Sequence, residues 1–146
     1  MIVGRASLPE WRVITTLLSA TGLPTNDLTD DLLSTFLVLR DNGIVRGAVG
    51  LECHGEIALL RSLVVQEECR GHGRGAQLLN AAETLARELK VRSIYLLTTT
   101  ADAFFARWGY RRVNRDDVPD EIRTTKQFSA LCPSTAVIMV KRVLSS

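Results

Sequence analysis

The sequence predicts an α/β fold in which a mixed β-sheet is flanked by helices. Three observations lead to this prediction. β-rich segments between residues 35 and 65 are separated by short turn signals, which indicates an antiparallel meander. A helical pattern over residues 75–90 then separates two strands, and a crossover of this length implies that they pair in parallel. The 146 residues, 46% of them hydrophobic, suit a single domain, 1–146, with its own core.

The N-terminal part is predicted to form two helices. Ser7 caps the first helix, Pro9 lies in its first turn and Glu10 completes a capping box. The buried face of this helix consists of Trp11, Ile14, Leu17 and Leu18. Gly22 and Pro24 end it. A second, short helix is predicted to start at Asn26 or Thr29 and to continue through Leu32, Leu33 and Phe36.

The meander is predicted to contain strands 35–40, 44–52 and 56–65. Asp41-Asn42-Gly43 is a hairpin signal, and His54-Gly55 makes the next turn. The helix over residues 75–90 has an apolar face with a spacing of three or four residues: Leu78, Leu79, Ala82, Leu85, Ala86 and Leu89. Residues 93–98 follow as a strand.

The C-terminal part is predicted to contain a helix over residues 101–108, stopped by Gly109, and strands 110–113 and 135–143. Pro119-Asp120-Glu121 starts a short helix that carries Ile122. The connection 114–134 is longer than a simple loop. Such segments are either surface excursions or functional loops.

Composition and charge exclude several classes of protein. The net charge is +2 and the basic residues are dispersed, which argues against a nucleic-acid surface. No apolar run approaches the roughly 18 residues of a membrane span. The N-terminus lacks the apolar core of a signal peptide, so a cytoplasmic protein is expected.

The cysteine pattern predicts neither a disulfide framework nor a metal site. Cys53, Cys69 and Cys132 form an odd, sparse set. Cys69-x-x-His72 and Cys53-His54 lack the second ligand pair that a structural zinc ion needs. The cysteines are therefore interpreted as small, semi-buried residues.

A glycine-rich turn is the clearest functional signal. It has the sequence Arg70-Gly71-His72-Gly73-Arg74-Gly75-Ala76 and lies between a strand and a helix. The first turn of a helix has free N–H groups and a partial positive charge. Glycines let a phosphate approach this backbone closely, and the basic side chains add charge. The turn is therefore predicted to hold a pyrophosphate.

Two common phosphate motifs fit this turn poorly. The phosphate-binding loop of nucleotide hydrolases needs Lys-Ser or Lys-Thr, where this chain has Ala76-Gln77. Gly71-x-Gly73-x-x-Ala76 formally matches the dinucleotide fingerprint. However, polar residues 66–68 separate it from the strand, and the next strand ends in three threonines rather than in an acidic residue.

Two motifs resemble the GCN5-related N-acetyltransferase (GNAT) superfamily. Arg70, Gly73 and Gly75, after a strand ending in Leu63-Val64-Val65, fit its motif A. The segment from Ala101 to Tyr110, with Phe104, Phe105 and Gly109, resembles its motif B, in the expected order along the chain. The segments 59–65 and 96–100, with Leu131-Cys132-Pro133-Ser134, look like the acetyltransferases of bacterial arsenic-resistance operons.

The resemblance implies a mostly antiparallel sheet with splayed central strands, acetyl-CoA as co-substrate and no metal. The implied coenzyme-binding residues are Leu63, Val64, Val65, Arg70, Gly71, His72, Gly73, Arg74, Gly75, Ala76, Phe104 and Arg107. The pantetheine would pair with the backbone of 63–65 like an added strand. The Val65 N–H would polarise the thioester carbonyl, an interaction worth ~3 kcal/mol in the transition state.

The resemblance leaves the catalytic acid and base unassigned. The tyrosine that often protonates the thiolate in this superfamily is replaced by Phe105, and the glutamate base of histone-type members falls on Leu59. Glu52 and Glu56 are either bases acting through water or solvated charges at strand ends. Proximity and thioester polarisation alone can supply much of the rate.

Arg61, Thr98 and Thr99 are the candidate acceptor-binding residues. Arg61 shares a strand face with Leu59 and needs an anionic partner, which is either an internal carboxylate or an acidic group of the substrate. The threonines either line the acceptor cleft or serve as strand residues and a helix cap. In the resemblance, the segment 114–134 follows motif B, where a lid over the acceptor would lie.

The leading interpretation is an N-acetyltransferase for a small, amino-acid-like amine, such as the organoarsenical arsinothricin. Two alternatives stay open, namely acetylation of protein amines, including N-termini, and a non-catalytic acyl-CoA-binding sensor. The expected partner is the small-molecule amine acceptor, with no nucleic acid and no membrane. A homodimer is left open.

Overall fold

The structure is a computed structural model that describes residues 1–20, 30–125, 128 and 136–144. The strands of this part of the chain are β1 (Ile2–Arg5), β2 (Phe36–Asp41), β3 (Ile44–His54), β4 (Ile57–Val65), β5 (Ser93–Thr98), β6 (Arg111–Val113) and β7 (Val137–Arg142). Its α-helices are α1 (Trp11–Ala20), α2 (Arg74–Glu88), α3 (Asp102–Arg107) and α4 (Asp120–Arg123). Short 3₁₀ helices cover Leu8–Glu10, Asp30–Thr35, Glu67–Cys69 and Arg115–Asp117.

The strands follow the order β1-β2-β3-β4-β5-β7-β6 in one sheet. The pairs β1–β2, β2–β3, β5–β7 and β6–β7 are antiparallel, and β4 pairs with β5 in parallel. The predicted mixed, mostly antiparallel sheet and its parallel crossover are therefore confirmed. The splaying of the central strands stays a prediction.

The residues form two compact units. One consists of Met1–Glu52 and Leu60–Leu85, and the other of Cys53–Leu59 and Ala86–Ser146. Strand β4 therefore contributes residues to both units. The prediction of one domain over the whole chain stays a prediction.

In the first unit, the predicted capping box is confirmed. The Glu10 carboxylate accepts hydrogen bonds from the Ser7 N–H (2.8 Å) and the Ser7 hydroxyl (2.9 Å). Helix α1 buries Ile14 and Leu18 against side chains of β2, β3 and β4: Phe36, Val38, Val45, Ala48 and Val64. The predicted helix end at Gly22 and Pro24, and the start of the second helix at Asn26 or Thr29, lie outside the described residues.

The Glu10 carboxylate also forms a bidentate ion pair with Arg40 of β2. Nε of Arg40 donates to Oε2 and Nη2 donates to Oε1, both at 2.7 Å. The bond from Arg40, opposed in part by burial, lowers the pKa of Glu10 from 4.5 to about 2. The charged pair joins the start of helix α1 to the sheet.

We expect the Glu10–Arg40 pair to make folding sensitive to acid. Because the pKa of Glu10 is lower in the folded state, its stabilisation is present above about pH 4.5 and is lost as the pH falls towards 2. Melting temperatures between pH 7 and 3 should therefore fall less for Glu10→Gln than for the unchanged protein. Glu121→Gln, which changes an exposed carboxylate, serves as the control. Parallel curves for all three proteins would contradict the prediction.

Two predicted helix ends are wrong. The second helix does not include Phe36, because this residue starts β2 and pairs with Gly50, whose missing side chain leaves room for the phenyl ring. Helix α2 ends at Glu88, and Leu89 is 43% exposed instead of buried. Lys90 takes a left-handed conformation (φ +64°), and the Val91 N–H donates back to the Ala86 carbonyl (2.9 Å), which turns the chain away from the helix.

Strand β1 has no counterpart in the sequence prediction. Its four residues pair with β2, from Ile2 opposite Arg40 to Arg5 opposite Leu37. Ile2 is exposed, and Gly4 contributes no side chain. The strand therefore depends on backbone pairing with a distant segment, which local periodicity does not reveal.

In the second unit, the predicted short helix with Ile122 is confirmed as α4. Val118 and Ile122 are buried with Leu59 of β4 and Ile138 of β7, so they anchor the connection after β6 to the sheet of this unit. The lid role of the segment 114–134 stays a prediction. Among the described residues, no helix has the length and apolarity to cross a membrane.

Candidate functional site

The glycine-rich turn lies directly before helix α2. Gly71 (φ +85°) and Gly73 (φ +74°) are in the left-handed region, and a Cβ on either would meet no protein atom within 4 Å. The first hydrogen bond of the helix runs from the Gln77 N–H to the Gly73 carbonyl (3.0 Å). The N–H groups of residues 74–76 therefore precede the helical ladder and are available to an anion.

Arg70 and Arg74 lie at the two ends of this turn. The exposed Arg70 donates from Nε to the Val65 carbonyl (2.9 Å), which fixes its guanidinium against the end of β4. Arg74 donates from Nη1 to Oε1 of Gln77 (3.1 Å), and its Nε is buried with no partner in the described part of the chain. A buried, unpaired donor is costly, and this nitrogen is closed to solvent in the structure. The turn thus combines N–H groups at a helix start with two basic side chains, and its binding of a pyrophosphate stays a prediction.

The remaining residues of the turn differ in exposure. Gly71, His72 and Gly73 are exposed, whereas Arg74, Gly75 and Ala76 are half-buried at the first turn of α2. The glycine-rich part of the turn is therefore open to solvent, and the first turn of α2 is partly covered.

The end of β4 contains an irregularity that the sequence did not reveal. Ser62, which is buried, has φ +61°, a conformation that is uncommon for a residue other than glycine. Beyond it, Leu63 is half-buried and Val64 and Val65 are buried. The Gln66 N–H donates to the Arg46 carbonyl of β3 (2.7 Å), which continues the backbone contact past the last residue of β4.

A cavity of 480 Å³ in the first unit joins this strand end to helix α1. Its lining residues are Leu17, Ala20, Val64, Val65, Gln66, Glu67, Glu68 and Arg70. The volume lies in the range of small-molecule sites. The walls combine apolar side chains with two carboxylates and one guanidinium.

Arg61 has an internal carboxylate beside it. Its side chain is fully buried, and Nη1 lies 3.4 Å from Oε1 of Glu52, whose side chain is 17% exposed. Nε of Arg61 also lies 3.3 Å from the Ser62 hydroxyl oxygen. The structure thus supplies the internal partner that the sequence left as one alternative. The acceptor-binding role of Arg61 stays a prediction.

The candidates in the second unit occupy the end of β5 and helix α3. The Thr98 hydroxyl accepts a hydrogen bond from the Ala101 N–H (2.9 Å), while Thr99 is exposed. Ala101 is the N-cap residue of α3 and the helix has no side-chain cap, so the predicted capping role of the threonines is wrong. Phe104 is half-buried and packs edge-on against Phe105, with 5.2 Å between the ring centroids. Arg107 is exposed.

Phe105 is a packing residue in this structure. It is 6% exposed, and its ring packs edge-on against Tyr110 as well as Phe104. The position at which many acetyltransferases carry a catalytic tyrosine therefore holds a buried aromatic cluster in the second unit.

Among the described residues, no group of three or more His, Cys, Asp and Glu side chains is placed to hold a metal ion. Cys53 is exposed and Cys69 is half-buried, and neither forms a disulfide within the described residues. Cys132 and the rest of the segment Leu131–Ser134 lie outside the described residues.

Comparison with known proteins adds to this geometry. Residues 33–112 match the family model of the acetyltransferase (GNAT) domain. The amino-acid acetyltransferase of Ralstonia nicotianae is 30% identical over 96 residues, which cover 62% of this chain and 21% of that protein. The chain thus spans about a fifth of that relative's length.

Two solved structures share the fold. N-acetylglutamate synthase from Neisseria gonorrhoeae, complexed with coenzyme A and N-acetyl-glutamate, matches with a TM-score of 0.85 at 20% identity, over 99% of this chain and 35% of that one. Rv2747 from Mycobacterium tuberculosis, in complex with CoA, matches with the same score and identity, over 99% of this chain and 100% of that one. At this level of identity, the likeness concerns the fold alone.

Proposed function

The chain belongs to the acetyltransferase (GNAT) domain family, and we propose that it transfers the acetyl group of acetyl-CoA to the amine of a small, amino-acid-like acceptor. The observation that carries this proposal is the turn before helix α2. It combines two glycines whose Cβ positions face open space with the free N–H groups of a helix start. Arg70 and Arg74, at the two ends of the turn, add positive charge.

The donor's phosphates would lie on residues 70–76, and its pantetheine would lie along residues 63–65 of β4. The neutral acceptor amine attacks the thioester carbonyl carbon and forms a tetrahedral intermediate. The carbon–sulfur bond then breaks, the nitrogen gives up one proton, and the departing thiolate of coenzyme A takes up one proton, directly or through water. The Val65 N–H would stabilise the negative charge that develops on the carbonyl oxygen. The contacts of Phe104 and Arg107 with the coenzyme stay predictions.

An amino-acid-like acceptor is favoured by two findings. The relative from Ralstonia nicotianae is an amino-acid acetyltransferase, and the gonococcal structure contains N-acetyl-glutamate. The cavity beside Val64 and Val65 has room for an acceptor of this size. Arsinothricin is the more specific proposal, which rests on the resemblance to arsenic-operon enzymes.

Two other functions remain distinguishable by experiment. An enzyme that acetylates protein amines would act on peptides rather than on free amino acids. A sensor would bind acyl-CoA without turnover, which the packing role of Phe105 would permit. A cytoplasmic location and a homodimer belong to this proposal as predictions from the sequence.

The proposal predicts that acetyl-CoA binds and raises the melting temperature. A ligand present at 100 times its dissociation constant stabilises the folded state by about 2.7 kcal/mol. NADH, whose fingerprint the glycine-rich turn fits poorly, should raise the melting temperature much less. Thiol release is then measured with glutamate, other amino acids, arsinothricin and a peptide with a free N-terminus. Equal stabilisation by NADH would refute the assignment of acetyl-CoA as the donor. Binding of acetyl-CoA without thiol release would favour the sensor function.

A further inference from the structure

We propose that Gly47 of β3 is a positioning residue for acetyl transfer because it sets the direction of the Val65 N–H. This inference rests on the proposed function, in which that N–H polarises the thioester carbonyl. Gly47 does not lie in either of the two motifs that carried the resemblance in the sequence. Its role follows from the contacts between β3 and the end of β4.

The backbone of β4 approaches Gly47 too closely for any side chain. A Cβ on Gly47 would lie 2.8 Å from the Val64 carbonyl oxygen and 3.0 Å from Cδ1 of Leu78 in helix α2. The first contact is with backbone, which cannot rotate aside like a side chain. A residue larger than glycine at position 47 must therefore displace the Val64 carbonyl.

The Val64 carbonyl and the Val65 N–H belong to the same peptide group. This group is planar and trans, so its oxygen and its hydrogen point in opposite directions. Because the oxygen approaches β3, the Val65 N–H points away from β3. A displacement of the oxygen by a side chain at position 47 would therefore turn or shift the N–H as well.

The next peptide group has the opposite orientation. The Gln66 N–H donates to the Arg46 carbonyl of β3 (2.7 Å), so the Val65 carbonyl points away from β3. On that side it accepts the bond from Nε of Arg70 (2.9 Å). Both backbone polar groups of Val65 thus face the same side, and the N–H is the one assigned to the thioester oxygen.

A bulge in β3 brings these contacts together. Leu39 of β2 pairs with Gly47, but the next residue, Arg40, pairs with Val45, so Arg46 is an extra residue in β3. Its side chain donates from Nη1 to Oε1 of Gln66 (2.7 Å). Arg46 therefore holds Gln66 through two hydrogen bonds, and the missing side chain of Gly47 leaves the space beside the Val64 carbonyl free.

The test is the variant Gly47→Ala. We expect kcat to fall about 100-fold, since misdirecting a single oxyanion donor has an effect of this size. The dissociation constant of coenzyme A, measured by calorimetry, should change by less than about threefold, because coenzyme A lacks the thioester carbonyl to which the Val65 N–H is assigned. Gly50→Ala, on the same strand but against the Phe36 ring, is the matched control for strain in β3 and should lower the melting temperature without the same loss of kcat.

A second readout does not depend on turnover. Coenzyme A lacks the thioester carbonyl, so the difference in the Val65 amide chemical shift between the acetyl-CoA and coenzyme A complexes isolates that hydrogen bond. In Gly47→Ala this difference should shrink. If Gly47→Ala does not fold, Arg46→Ala replaces it, because it adds no atoms and removes only the bond to Gln66. A hydrogen bond from a charged guanidinium corresponds to about a tenfold change or more, so a loss of kcat of about tenfold is expected.

The outcomes separate the two proposals. An unchanged protein that binds acetyl-CoA but acetylates no amine contradicts the proposed function. An active protein whose folded Gly47→Ala variant keeps both its kcat and its carbonyl-dependent Val65 shift overturns the role of Gly47. The same two unchanged values in Arg46→Ala overturn it if Gly47→Ala is unfolded.

Discussion

Replacing Gly73 with valine is expected to abolish acetyl-CoA binding. The Cβ position of Gly73 faces open space, which the proposal fills with a phosphate group of the coenzyme. A valine there would occupy that space and keep the phosphate from the helix start. We expect the dissociation constant, measured by calorimetry, to rise about 100-fold or more, which equals about 2.7 kcal/mol of binding free energy.

The control for this variant must carry the same backbone strain. Gly73 has φ +74°, so valine is strained there regardless of any ligand. Gly55, in the turn between β3 and β4, has φ +68° and equally open space at its Cβ position. Gly55→Val should therefore lose a similar amount of stability and still bind acetyl-CoA. A folded Gly73→Val protein with unchanged affinity would refute the assignment of the phosphate to this turn.

Replacing Arg61 with lysine is expected to have two effects. The guanidinium is fully buried beside Glu52, and breaking such a pair by removing one partner costs about 3–5 kcal/mol. Lysine keeps the charge but loses the planar fork, so we expect a smaller fall in melting temperature. If Arg61 also binds the acidic group of the acceptor, the acceptor KM should rise strongly while coenzyme affinity stays nearly constant.

Glu52→Gln separates these two roles of Arg61. It weakens the same ion pair from the other side and leaves the guanidinium in place. We expect it to lower the melting temperature without the rise in acceptor KM, and a fall in kcat alone would identify Glu52 as a base. An Arg61→Lys variant with lost stability but an unaltered acceptor KM would refute the substrate role.

Features specified by neighbouring residues could be predicted from the sequence. The hairpin at Asp41-Asn42-Gly43 occurs as expected, with positive φ at Asn42 and Gly43. The capping box and the strand Ser93–Thr98 also match. In each case, the side chains or glycines within a few positions determine the backbone.

Features that depend on distant partners were missed. Phe36 belongs to a strand rather than a helix because Gly50 of β3, its pairing partner, leaves room for its ring. The positive φ of Ser62 has no local signal, because serine is not a residue that requires it. Leu89 fits the helical period, but helix α2 ends at Glu88, and the left-handed conformation of Lys90 turns the chain away from the helix axis.

The candidate site also contains both locally specified features and features that depend on distant residues. The glycine-rich turn was recognisable because glycines and a helix start lie next to each other in the chain. The contact of Arg61 with Glu52 was left open, since it joins two strands across a hairpin. Gly47 could not be identified from the sequence at all, because its effect depends on which backbone atom lies against it.

The bond from Arg70 to the Val65 carbonyl has a consequence for comparing related sequences. One edge of the guanidinium holds a strand carbonyl, so only its other donors remain for an anion. A lysine at position 70 has a single compact ammonium on a flexible chain and cannot be fixed in this way. An exchange of arginine for lysine here would therefore conserve the charge but lose the planar guanidinium and its fixed position.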